Sequence, residues 1–476
     1  MTIKKEYIHY LIALVLGLVL GFGLQPVNGL TSIGVRAIAV IIPTLYLWLT
    51  VNTHWTCFMI LSLLVMTQAM SANQVWANSF GHFVFITVFA YSIFNVCLVE
   101  TGVINKIAKF FITRKFVEGR PYVFMGMFFL SHLLVCFFAD NISMAAIYIT
   151  IAEEIANNLK IKKGHPMYTA LMLGILWTNC LGQICSPIAH AIPNLVMSLL
   201  QSACGITITY STWMGYGAIY AALVFIASMI ILRIWNPDCS AFKNFDLEEM
   251  KKTDKPLDKT GKWTAIVFVI VVLFVFVPSI LAKVSPVAAY FNTLGVVVPA
   301  LVGIVVLCLL RVNGKPILDF PKTMAKVNFA PCLFAGTVAC LAVPVSAENT
   351  GITEWLGNTL RPMLSGLAPL VIVTILVILS LLMTNFLSNT VTVALFFSIG
   401  AVVLAPTGYN MAAFALIVSM AAGMSTITPS AAVPSPFFFA PGHLTMKDSL
   451  VPNLIFVVAT FLIIMIIGIP LASALV

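Results

Sequence analysis

Two short polar clusters interrupt long apolar runs in this chain. One is Asp140-Asn141 inside FFADNISMAAIYIT (137–150); the other is Ser388-Asn389-Thr390 inside FLSNTVTVALFF (386–397). An asparagine amide accepts through its oxygen and donates through its nitrogen, so one side chain serves a cation and an anion together. Ser, Thr, Asn and Asp are also the residues that start helices. A starting helix presents free N–H groups and the positive end of its dipole, which suit an anion. An ending helix presents free carbonyls, which suit a cation. The chemistry on offer is ion binding, not bond making. For one cluster, capping of an ordinary turn explains the residues equally well. Two clusters at matching positions favour a site.

Asp140 carries a charge that is expensive to leave unpaired in hydrocarbon. It has four readings: neutralising a bound cation, carrying a proton, capping its own hairpin, or pairing with a distant lysine. Glu153 and Glu154 lie near a basic loop and read as interfacial. His190, between Pro187 and Pro193, is a weak candidate, because a lone histidine is usually structural.

The surrounding composition fixes the medium. The 476 residues are 61% hydrophobic and 9% charged, with mean hydropathy +1.05; a soluble globule carries roughly 25% charged residues. This is a polytopic membrane protein. The lysine-led start resembles a signal peptide but lacks a small-residue cleavage site, so it reads as a first span. The net charge of +9 lies in short inter-span loops and reads as an orientation signal, not a nucleic-acid surface. Ten scattered cysteines without a CxxC read as apolar fillers, with neither a disulfide frame nor a metal site.

Apolar segments of spanning length are expected near 8–25, 30–51, 54–71, 83–103, 121–139, 142–158, 167–200, 213–235, 263–283, 290–311, 327–347, 367–387, 390–407, 411–440 and 449–474. The polar stretch 241–262 divides the chain into an N-terminal half (1–240) and a C-terminal half (263–476). Lys4 and Lys5 place the N-terminus in the cytoplasm. Lys106, Lys109, Arg114, Lys115 and Arg120 precede the 121–158 pair, and Lys160, Lys162 and Lys163 follow it, so both flanks of that pair are cytoplasmic. The 367–407 pair has only Arg361 before it and no Lys or Arg in APTGYN (405–410) after it, so its flanks read as extracellular, as does the C-terminus. Loop charge leaves open whether each pair is a re-entrant hairpin or two full spans.

The halves also match each other. VETGVINKIAKFF (99–111) resembles AENTGITEWLGNTL (347–360); Asn141 follows Gly102 by 39 residues, and Asn389 follows Gly351 by 38. Each pair precedes a segment broken by proline and small polar residues, NCLGQICSPIAHAIPN (179–194, within 167–200) and GMSTITPSAAVPSP (423–436, within 411–440). Oppositely oriented repeats with matched interruptions are the arrangement of secondary transporters, whose sites form where helices break near the midplane.

With these motifs in order, the chain resembles the divalent-anion/sodium symporter family of the ion transporter superfamily. That family carries Ser-Asn-Thr at the tips of two opposed re-entrant hairpins. Here the motif is intact at Ser388-Asn389-Thr390 and altered at Asp140-Asn141-Ile142. The family's broken-helix signature is partly kept at Pro193-Asn194 and has Ser435 at the second Asn position. The resemblance implies an all-α inverted-repeat transporter with about eleven transmembrane helices, two re-entrant hairpins and two broken helices. It further implies a scaffold domain, a mobile elevator domain and a homodimer in the cytoplasmic membrane. Substrate contacts carried over are Asn141, Ser186, Pro187, Ser388, Asn389, Thr390, Thr428, Pro429 and Ser430. Cation contacts carried over are Asn141 and Gly182 in one half, and Thr384, Asn389 and Ala422 in the other; Asp140, which has no counterpart in the family motif, is added as a candidate holder of the coupling cation or proton. The resemblance implies a small organic anion, a di- or related carboxylate, moved with sodium; exchange and proton coupling stay open, and no other cofactor is implied. Ile142 and Asp140 depart from the family in a direction that disfavours a dicarboxylate, leaving a monocarboxylate, an organosulfonate or an amino acid as alternatives. Cys136, where a hydroxyl is preferred, weakens the first cation site.

Two other classes compete. A zinc protease would want HExxH, which is absent. A channel tolerates the paired interruptions but does not require them. The transporter reading expects Asn141 and Asn389 to approach from opposite leaflets, their helix ends enclosing a small anion.

Overall fold

The structure is a computed structural model, and it describes residues 5–51, 55–188, 190–252, 254, 256–282, 284–364, 366–428 and 434–476. It is helical throughout, apart from a two-residue hairpin of β1 (Arg311–Val312) and β2 (Lys315–Pro316). The first half opens with α1 (Lys5–Gly23), α2 (Ser32–Thr50), α3 (Thr56–Met66), α4 (Ala72–Asn78) and α5 (Phe83–Glu100). A glycine in the left-handed region, Gly102, then starts α6 (Val103–Ile112). The pair α7 (Pro121–Cys136) and α8 (Asn141–Asn158) follows, and then α9 (Pro166–Cys185), a break, α10 (Ala191–Cys204) and α11 (Tyr210–Trp235).

The second half repeats the plan. After the short α12 (Leu247–Lys252) come α13 (Lys259–Leu281), α14 (Pro286–Thr293), α15 (Val297–Leu309), α16 (Phe320–Met324) and α17 (Ala330–Ser346). Gly351, also left-handed, precedes α18 (Ile352–Leu364) as Gly102 precedes α6. The pair α19 (Pro369–Met383) and α20 (Asn389–Leu404) is followed by α21 (Met411–Ala422), a break, α22 (Ser435–Phe439), α23 (Met446–Ile463) and α24 (Ile469–Leu475).

Helix length sets the first arm of each pair apart from an ordinary span. At 1.5 Å per residue the 16 residues of α7 and the 15 of α19 reach only about 24 and 22 Å, short of the ~30 Å hydrocarbon core. Among the described residues, α5, α11, α13, α20 with its 3-10 extension, and α23–α24 are long and apolar enough to cross alone. The last of these runs through a π-turn at Ile464–Gly468, just before Pro470, a residue with no N–H to give the ladder.

Burial separates the helices by task. Every residue of α21 and every residue of α9 from Met167 to Cys185 is buried; a helix apolar all round belongs in the interior. Both arms of the first pair, α7 and α8, pack on α9, and both arms of the second, α19 and α20, pack on α21. Helix α10 packs on α20 and α21, so the halves interlock around the two breaks.

One sequence expectation needs correction. The segment expected at 290–311 is two helices, α14 and α15, bent by 81°, because Gly295 at φ 63° ends the first. The matching stretches 99–111 and 347–360 carry α6 and the start of α18. The polar stretch 241–262 between the halves is tied to the first half. Asn158 at the end of α8 holds it through Asp246 and Glu249 (Nδ2 to Oε2 2.9 Å), and Lys106 pairs with Asp254 at 2.8 Å.

Candidate functional site

At the second tip α19 ends and α20 starts within the five residues 384–388. Ser388 is the N-cap of α20, yet its hydroxyl makes no capping bond, which leaves the first-turn N–H groups without a side-chain acceptor. The Thr384 hydroxyl faces two acceptors, Asn389 Oδ1 at 2.9 Å and the carbonyl of Ala422 at the end of α21. One hydrogen cannot serve both fully, so three oxygens converge with a single proton among them. Hard oxygen donors in that arrangement suit a small cation. Thr384, Asn389 and Thr390 are buried; the Asn389 amide nitrogen and the hydroxyls of Ser388 and Thr390 have no protein partner among the described residues.

The adjacent break is braced by a residue that sequence reasoning missed. Asn385 Oδ1 accepts from the N–H groups of Thr426 (3.0 Å) and Ile427 (2.8 Å), and its own carbonyl accepts from the Thr428 hydroxyl. Asn453 of α23 donates to the Thr426 carbonyl at 2.6 Å while accepting from Trp177 of α9. Irregular backbone at this depth persists because side chains replace the absent water. The signal was present, since Asn385 is the one amide between Thr384 and the SNT triplet, but only the fold says which N–H groups it meets. Pro429 and Ser430, expected as substrate contacts, lie outside the described residues.

The first tip is built differently. Asp140 caps α8, its Oδ2 accepting from Ser143 N–H at 2.8 Å. Asn141 donates to Gln183 Oε1 at 2.9 Å, and its carbonyl accepts from Asn179 at 2.8 Å. Cys136 stands five residues before Asn141, as Thr384 stands five before Asn389, but its thiol faces His132 Nε2 at 3.3 Å. Thr178 gives its hydrogen to the Gly174 carbonyl and so accepts from His132 Nδ1 (2.7 Å), which leaves Nε2 to accept the thiol hydrogen. The Cys136 carbonyl accepts from His190 Nε2 at 2.6 Å. Gly182 lies against Cys136 so closely that a Cβ there would come within 2.2 Å of the Cys136 Cβ. Asn194 braces this break, donating to the carbonyls of Pro187 and His190, while Ser186 uses its hydroxyl to accept from Ile188 N–H.

Gln183 joins the tips. It accepts from Asn141 and reaches toward the carbonyl of Gly423 at 3.4 Å, next to the Ala422 carbonyl that Thr384 engages. The elements carrying Asn141, Gln183, Ala422, Thr384 and Asn389 thus form one polar cluster drawn from both halves. Glu153 and Glu154 are engaged elsewhere, near Lys163 (3.9 Å) and Lys109 (3.0 Å).

The profile described as "Sodium:sulfate symporter transmembrane region" matches residues 4–476. The chain belongs to the sodium:sulfate symporter family. It is therefore a multi-pass membrane transporter and not an enzyme. Within this family it is similar to the sodium-dependent dicarboxylate transporter SdcS of Staphylococcus saprophyticus, 24% identical over 93% of this chain and 88% of that protein. Shorter matches reach the Na(+)/citrate cotransporter of Rattus norvegicus (28% over 31% of this chain) and the L-tartrate/succinate antiporter of Shigella flexneri (34% over 24%). Those two alignments span about a quarter of each relative, 26% and 24%. Among solved structures, the YdaH transporter of Alcanivorax borkumensis superposes with a TM-score of 0.59, at 15% identity, over 99% of this chain and 96% of that one; that likeness concerns the fold alone.

Proposed function

We propose that this family member is a secondary active carrier of small organic carboxylates, coupled to sodium through the second-half cluster. The convergence of Thr384, Asn389 and the Ala422 carbonyl carries the sodium reading. The uncapped start of α20 beside it supplies donors for a carboxylate. The name of the long relative, a sodium-dependent dicarboxylate transporter, agrees with symport; the antiporter among the shorter matches keeps exchange as the second reading.

In this reading α7–α8 and α19–α20 are re-entrant hairpins, which their short first arms support. The N-terminus is cytoplasmic, and the C-terminus and the 367–407 flanks are extracellular. The 1–240 and 263–476 halves each contribute a hairpin and a broken helix to a moving body that works as an elevator against a scaffold, in a homodimer.

The test is counterflow in proteoliposomes loaded with unlabelled short-chain carboxylates. A sodium-coupled carrier exchanges labelled substrate and accumulates it when sodium replaces choline outside. Exchange without any sodium effect selects the antiporter reading. Dissipation without counterflow defeats the carrier reading altogether.

A further inference from the structure

The two hairpin tips offer an incoming acid different chemistry. At the second tip, Ser388 caps nothing, and the Asn389 amide nitrogen and Thr390 hydroxyl, in residues 5% and 9% exposed, are unengaged among the described residues. That tip is equipped to accept a carboxylate. At the first tip fewer of the corresponding donors remain. Asp140 already places a carboxylate oxygen 2.8 Å from the Ser143 N–H, Asn141 gives one of its two amide hydrogens to Gln183, and position 142 is isoleucine, with no hydroxyl.

We infer that Asp140 is a built-in substitute for one carboxylate of a dicarboxylic substrate, so that this carrier takes acids with a single carboxylate. This inference rests on the carboxylate-carrier reading above and narrows its substrate class. The single carboxylate docks at the start of α20. The other end of the substrate faces the Asp140 side of the cluster, where a second carboxylate meets a like charge and a Ser143 N–H already bonded. A hydroxyl or an ammonium finds an acceptor there: the Asn141 amide oxygen has no protein partner among the described residues, and only one Asp140 oxygen serves the cap. The chemical class is an ω-hydroxy or ω-amino monocarboxylate, or a comparable acid with a hydrogen-bond donor opposite its carboxylate.

The experiment compares matched acids of three to six carbons. Each dicarboxylate is set against the ω-hydroxy and ω-amino monocarboxylate of equal length, with thermal stabilisation of the purified full-length protein in sodium chloride as the readout. The expected result is at least tenfold tighter half-saturation by a monocarboxylate than by the diacid of its length. Asp140→Ser and Asp140→Asn remove the charge and keep a good N-cap, so either variant reports even if the other folds poorly. Both are expected to shift preference toward the diacid by tenfold or more. A wild-type protein that prefers the diacid, or a folded variant with unchanged preference, overturns the inference and leaves the carboxylate carrier standing. No stabilisation by any acid, in wild type or variant, overturns the carboxylate reading and this inference with it.

Discussion

Thr384 and Cys136 occupy the same place in the two repeats and do different things. A threonine hydroxyl is a hard oxygen that touches both the tip amide and the end of α21. The Cys136 thiol is soft, and it is turned to His132, while a His190 N–H takes the carbonyl beside it. Sodium prefers the first environment. Thr384→Ala is therefore expected to raise the sodium concentration for half-maximal uptake at least about tenfold, equivalent to roughly 1.4 kcal/mol, with Thr384→Ser staying within about threefold. Uptake in proteoliposomes titrated with sodium at constant ionic strength checks this, and an unchanged sodium dependence in Thr384→Ala would remove the residue from the coupling site. The residue types of the second site were legible because its spacing repeats. The first site's engagement was not: Gln183 and His190 lie 42 and 54 residues from the groups they bind.

A broken helix persists only if something replaces its lost ladder. In the first half Asn194 reaches back to the carbonyls of Pro187 and His190, and Tyr210 anchors it through Oη at 2.8 Å. In the second half the brace comes from the hairpin, through Asn385. Asn385→Ala strands the buried N–H of Thr426 and the half-buried N–H of Ile427, at a cost of about 1–3 kcal/mol for the buried one before relaxation. The expected outcome is a lower melting temperature, with faster hydrogen exchange confined to residues 424–428 and unchanged exchange in α15. Equal acceleration everywhere would mean that Asn385 stabilises the fold generally and not this break. Proline and small polar residues made both breaks readable in sequence. The bend between α14 and α15 was missed although Asn292, Thr293 and Gly295 cluster at it, because the apolar residues on either side together fill the length of one span.

In the elevator reading the molecule divides where α10 meets α5 and α17. His82, the N-cap of α5, contacts Ser198 of α10 at 3.2 Å, beside a cleft of about 370 Å³ that also borders Gln201, Thr207 and Tyr210. Helix α10 follows the first break and packs on α20, α21 and α17, whereas α5 packs on α15 and α17. If α10 moves with the hairpins against α5, joining the two must stop transport. A His82→Cys/Ser198→Cys pair bridged by a short thiol cross-linker is expected to lose most counterflow, reversibly if the linker is cleavable, with treated wild type unaffected. Full activity of the cross-linked protein would show that α5 and α10 travel together and would exclude this division of the carrier.

Composition alone required a membrane solvent, because a chain with 9% charged residues and mean hydropathy +1.05 cannot present a soluble surface. The internal repeat placed the two polar clusters and the two breaks, since each needs particular residue types at particular spacings. Which donors and acceptors remain for a ligand was decided only in three dimensions. Asp140 turned to its own helix, Ser388 left α20 uncapped, and Gln183 linked the halves. Hydrogen bonds are exclusive, so a group's availability depends on neighbours that the chain brings together only by folding.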